Sequence, residues 1–140
     1  MRQILSAIAL FGLGTSGALA IDCLNGQSPD ILSVESWELS DAPAEDGSKT
    51  ISITLQPSSD RGIRLIDGTV KYEDVLGERV GEFILERAEG IPSGQSYVHE
   101  DVVAGTVLER FEQLHPDDIA AIVCVSALVY DDGTLMQFAN

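Results

Sequence analysis

The chain has 140 residues, with 23 Asp and Glu against 8 Lys and Arg, and a formal charge of −15 at pH 7. Beyond Arg2, the basic residues Lys49, Arg61, Arg64, Lys71, Arg79, Arg87 and Arg110 are scattered, which excludes the basic patch of a nucleic-acid binder and disfavours an anionic membrane surface. On charge grounds a partner is cationic, neutral or a divalent metal, and the simplest role of the acidity is solubility.

Residues 1–20, MRQILSAIALFGLGTSGALA, carry one positive residue, an apolar stretch from Ile4 to Leu13, and a small-x-small ending at Ala18-Leu19-Ala20. This pattern predicts a signal peptide cleaved after Ala20, because the apolar stretch is well short of the ~20 residues of a bilayer helix. The expected product is a single domain over 21–140, periplasmic or extracellular, with no membrane span. Asp22, and not a small residue, precedes Cys23, so a lipid-modified cysteine is not expected. Cys23 and Cys124 are the only cysteines, and an even count in an exported chain predicts that they pair as a disulfide. No CxxC occurs, which removes a thioredoxin-like redox site.

An early strand is expected around 31–39, carrying the only tryptophan, Trp37, followed by a loop over 39–48. Segment 49–55, KTISITL, alternates Ile51, Ile53 and Leu55 against Ser52 and Thr54, the pattern of a half-buried strand. After the loop at 56–62, Ile63 and Leu65 differ in parity from Ile66, Gly68, Val70 and Tyr72, so a bulge between Leu65 and Gly68 is expected. Asp74-Val75-Leu76-Gly77 reads as a turn into a strand over 78–86, forming the central hairpin.

A further strand is expected over 96–103. Val107, Phe111 and Leu114 at i, i+4 and i+7 predict one or two helical turns over 106–114. His115-Pro116-Asp117-Asp118 reads as a short turn capped by a carboxylate. Segment 119–130, IAAIVCVSALVY, is apolar and β-branched enough to be a central strand covered on both faces. Asp131-Asp132-Gly133 then turns the chain into 134–138, where Thr134, Met136 and Phe138 share a face. The predicted fold is an all-β, immunoglobulin-like antiparallel β-sandwich of about seven strands in two sheets, with one short helical segment.

Asp118, Ala120 and Cys124 lie in a segment that resembles the D-x-A-x-Y-x-C run of immunoglobulin domains, with Ile122 in place of the tyrosine. Without that hydroxyl no tyrosine corner can form, and the long interval from Trp37 to Cys124 argues against the antibody-type arrangement. Val70, Tyr72, Asp74 and Gly77 resemble the aromatic-x-D-x-x-G turn of FxLYD-type bacterial β-sandwich domains, a flavour that Tyr130-Asp131-Asp132-Gly133 repeats, over about 51–138. That resemblance implies an exported immunoglobulin-like module without catalysis of its own, and carries no catalytic residues to transfer.

Chemistry-bearing residues are few. Ser93 lies in Gly90-Ile91-Pro92-Ser93-Gly94, which lacks the G-x-S-x-G spacing of a nucleophile elbow. His99 and Asp101 share a strand face while Glu100 opposes them, and His115 neighbours Asp117 and Asp118. Asp41, Glu45 and Asp46 in one loop, and Asp131 and Asp132 in the last turn, are oxygen ligands of the kind calcium prefers, without the spacing of a calcium loop. No phosphate-binding glycine loop, HExxH or dinucleotide fingerprint occurs.

The expectation is therefore an exported non-enzymatic module with no cofactor, no catalytic residues and no metal site, which binds another envelope or extracellular protein or has a structural role there. One alternative is a calcium-dependent module using the acidic loops. Another is a small hydrolase, which requires His99 or His115 in a pocket beside Ser93 or a carboxylate.

Overall fold

Cys23 and residues 31–138 are described by the computed structural model, and the predicted leader over 1–20 lies outside the described residues. Alternation builds the first sheet. In β2 (Lys49–Pro57), Ile51, Ile53 and Leu55 point inward and are fully buried, as their period of two requires. β1 (Leu32–Asp41) and β5 (Tyr97–Val103) pair with it antiparallel on either side, giving a three-stranded sheet of order β1-β2-β5.

The second sheet has the order β4-β3-β6-β7, from β3 (Ile63–Asp74), β4 (Arg79–Ile84), β6 (Ile119–Tyr130) and β7 (Leu135–Gln137). The apolar run 119–130 is a single strand between β3 and β7. Its partner β3 carries the expected irregularity, in two places. Register shifts between Ile63 and Leu65 and again between Asp67 and Gly68, so Ile63, Ile66, Val70 and Tyr72 all reach the core while Leu65 turns outward. The β3–β4 hairpin is present but not central, since β4 is an edge strand.

The described residues thus form an all-β sandwich of two antiparallel sheets, with one α-helix and one 3-10 turn. In the constant-type immunoglobulin order the fourth strand lies beside the fifth; here it lies beside the third. The inner faces meet in an aromatic cluster in which Tyr72 stands edge-on to Trp37, Phe83 and Phe111 at centroid distances of 5.8, 5.8 and 5.2 Å.

Helix α1 (Gly105–Gln113) crosses between the sheets and closes one end of this cluster. The expected stripe of Val107, Phe111 and Leu114 is rotated by about one residue. Leu108 and Phe111 are the buried pair, whereas Val107 is exposed and Leu114 half-buried. The helix can lie against β4 because Gly81 has no side chain. A Cβ there would stand 3.1 Å from Phe111 Cε2 and 3.2 Å from Val107 Cγ1.

Cys23 and Cys124 form the predicted disulfide, with Cα atoms 5.6 Å apart. Val123 and Val125 face the core, so Cys124 between them points to the outer side of the four-stranded sheet. The bridge does not join the two sheets. For the same reason the D-x-A-x-Y-x-C likeness is out of phase with the fold, because Ile122 and Cys124 both lie on the outer face. No helix among the described residues is long and apolar enough to cross a membrane.

Candidate functional site

The loops gather at two ends of the sandwich. Along β6, Ile119 pairs with Asp74 of β3 and Tyr130 with Ile63, so the ends are roughly 35 Å apart at the usual strand rise. At one end Lys49 bridges Glu112 of α1 at 3.3 Å, and Arg110 bridges Asp74 at 2.9 Å. At the other, Arg61 stacks on the Tyr130 ring at 3.7 Å and bridges Asp132 at 2.9 Å, while Asp131 N–H donates to the Gly62 carbonyl at 3.0 Å.

This geometry separates the predicted calcium ligands. Asp41, Glu45 and Asp46 belong to the β1–β2 end, and Asp131 and Asp132 to the opposite one. Asp46 accepts from the amide and hydroxyl of Ser48, and those hydrogen bonds lower its pKa. Asp132 accepts from Thr134 N–H at 2.9 Å; Thr134, and then Arg61, pull its carboxyl down to about 2. Among the described residues no group of three or more His, Cys, Asp or Glu is placed to hold a metal ion.

The hydrolase residues are likewise kept apart. Ser93 Oγ donates to the Asp60 carbonyl in the loops beyond Ile63. His99 pairs with Ile53 in mid-strand and is buried at 5% exposure, with neither ring nitrogen hydrogen-bonded. Asp101 shares its face as expected, but its Oδ1 accepts from Val102 N–H at 2.8 Å instead of turning to the imidazole. His115 is exposed, and its Nδ1 accepts from Asp117 N–H at 3.3 Å, so the imidazole and not a carboxylate caps the 3-10 turn η1 (Pro116–Asp118).

The most organised polar site is one that sequence reading treated only as a turn. Asp74 ends β3, is 7% exposed, and holds the β3–β4 connection from within. Its Oδ1 accepts the N–H groups of Leu76 and Glu78, each at 2.9 Å, and its Oδ2 accepts from Arg110 at 2.9 Å. Arg110 also reaches Glu78 at 2.6 Å, and Val75 N–H donates to the Asp118 carbonyl at 3.0 Å. The Glu78 amide above all, with the Leu76 amide and Arg110, holds the Asp74 carboxyl below its ordinary range against the opposing effect of burial.

The backbone of this turn recurs at the other end. Asp74 N–H donates to Glu78 O at 2.8 Å and Gly77 N–H to Asp74 O at 2.9 Å, while Tyr130 N–H donates to Thr134 O and Gly133 N–H to Tyr130 O, both at 2.9 Å. Gly77 and Gly133 both have φ of 86°, the left-handed residue that such three-residue loops need. The two turns differ in what they display. One presents Asp131 and Asp132; the other presents Val75 at 46% and Leu76 at 89% exposure.

A signal for this site was present in the sequence as an apolar pair where turn-forming polar residues are usual. What lay beyond local pattern was its support, since Arg110 is 36 positions from Asp74. No protein-family model, curated protein or solved structure matches this chain.

Proposed function

We propose that this chain is an exported, non-enzymatic β-sandwich module that binds another envelope or extracellular protein. The observation that carries the reading is the set of large apolar side chains displayed outside a closed core, among them Leu76, Ile84, Val98, Val102 and Leu135. Export is supported by the leader-like residues 1–20 and by the Cys23–Cys124 disulfide, which is compatible with an oxidising compartment. The resemblance of its turn at Asp74–Gly77 to that of FxLYD-type exported domains points the same way.

Charge narrows the partner. Lys49, Arg61, Lys71, Arg79, Arg87 and Arg110 each form an ion pair within the chain, which leaves the excess of carboxylates to set the external field. That field favours a cationic or neutral partner over a second copy of the same acidic chain. Chemical cross-linking in the exporting cells, followed by recovery from the envelope fraction, is expected to yield a reproducible protein partner. Recovery of none would overturn the reading.

A further inference from the structure

We infer that the β3–β4 turn is a preorganised docking knob whose Val75 and Leu76 enter an apolar pocket, rimmed by lysine or arginine, on the partner protein. This inference rests on the protein-binding reading and assigns it a place and a chemistry.

The first support is a comparison inside the chain. The turns at 74–78 and 130–134 share their hydrogen bonds and their glycine φ of 86°, yet the second has aspartates where the first has valine and leucine. Turn geometry therefore does not require apolar residues at these two positions. Nor does the core, because Leu76 is 89% exposed and lies outside the hydrophobic cluster. An isolated exposed leucine needs no explanation; an adjacent apolar pair raised on a fixed turn does.

The second support is rigidity. The buried Asp74 carboxylate, the Arg110 guanidinium and the Asp118 carbonyl hold the tip through bonds of 2.9 to 3.0 Å from three different elements. A side chain whose backbone is already fixed loses less entropy on binding, which is how a small apolar anchor gains affinity. The third is the rim. Asp117 and Asp118 are exposed beside the tip, whereas Arg110 and Arg79 are committed to Asp74, Glu78 and Glu82. An apolar tip flanked by carboxylates matches an apolar pocket edged by cations, and is repelled by an anionic lipid surface.

The test places the photo-crosslinker benzoylphenylalanine at position 76 of the full chain in its exporting cells, and at positions 132, 98 and 135 in parallel. A discrete protein adduct is expected from 76 and not from 132. Purified wild-type protein added to the envelope fraction before irradiation should suppress formation of that adduct, and Leu76→Asp should do so roughly 30-fold less well, as expected of an interface hot spot. Leu76→Asn, a residue suited to the turn, should be about as weak, with both variants unfolding at the wild-type midpoint.

Equal suppression of adduct formation by wild type and both variants overturns the inference, as do the same adducts from 76 and 132. Adducts from 98 or 135 alone overturn it while leaving the protein-binding reading intact, and no protein adduct from any position overturns both. Vesicles of phosphatidylethanolamine and phosphatidylglycerol form the remaining arm. Binding to them by wild type, but not by Leu76→Asp, would give the tip to a lipid surface and overturn the inference.

Discussion

Asp74 and Arg110 meet at 2.9 Å across the junction of a β-turn and a helix, and each also holds a second part of that turn. The pair ties β3, β4 and α1 into one corner. Removing the carboxylate would leave the Leu76 and Glu78 amides without their acceptor and the half-buried Arg110 guanidinium with Glu78 alone.

Asp74→Ala is accordingly expected to lower the thermal midpoint at pH 7 and to flatten its dependence on pH in the acid range. Because the native carboxyl titrates below the ordinary value of about 3.9, its contribution is complete above that pH and disappears as pH falls through the lower native value. Asp132, lowered to about 2, acts in the same window, so the diagnostic quantity is the difference between variant and wild type. Parallel melting curves from pH 7 to 2 would contradict the assignment.

Cys23→Ser is expected to loosen the N-terminal attachment and destabilise the domain without abolishing its fold. The cysteines are 101 positions apart, and the chain-entropy model gives up to about 4.7 kcal/mol for a loop near that length. Denaturant unfolding of the oxidised wild type and the variant measures the difference. Coincident midpoints would show that the bridge does not constrain the unfolded chain as supposed.

Gly81→Val is expected to cost about 1–3 kcal/mol, since a side chain at that position would crowd Phe111 and Val107 and push α1 away from β4. The fluorescence of Trp37, whose ring lies 5.3 Å from that of Phe111, should change with the helix position. An unaltered spectrum with full stability would mean that the helix does not depend on this close approach.

His99→Leu is expected to leave stability unchanged or to raise it by about 1 kcal/mol. Both ring nitrogens are buried without a hydrogen-bond partner, and an apolar side chain has no such groups to desolvate. Equilibrium unfolding decides the sign. A clear loss of stability would indicate that the imidazole makes a compensating interaction.

Millimolar calcium is expected to leave the midpoint where chelator leaves it, because Asp41, Glu45 and Asp46 are held at the opposite end of the sandwich from Asp131 and Asp132. Binding to the native state alone at a hundred times its dissociation constant would add about 2.7 kcal/mol. A rise of that size would restore the calcium-dependent reading.

Much of this architecture was legible because strand periodicity is local. The alternation of Ile51, Ile53 and Leu55 needs only its own segment to define a face, and 119–130 identifies a long strand by composition. Parity near Leu65 was harder, since the register shift beside Ile63 decides which way that leucine turns. The helix stripe was misplaced by one residue because its approach to the sheets depends on Gly81, a residue of another element. The Asp74 site was hidden for a similar reason. Its amide donors are local, but Arg110 becomes a neighbour only after β3 and α1 have assembled.

The outward-facing disulfide also sets how the domain would bear tension. A pull applied at Cys23 and beyond Tyr130 travels through the sulfur bridge into the middle of β6 and on toward β7, so residues 24–123 lie off the covalent line of force. Most of the sandwich would stay folded under load while the short β6–β7 pairing yields first. The bridge thus acts as a mechanical shunt.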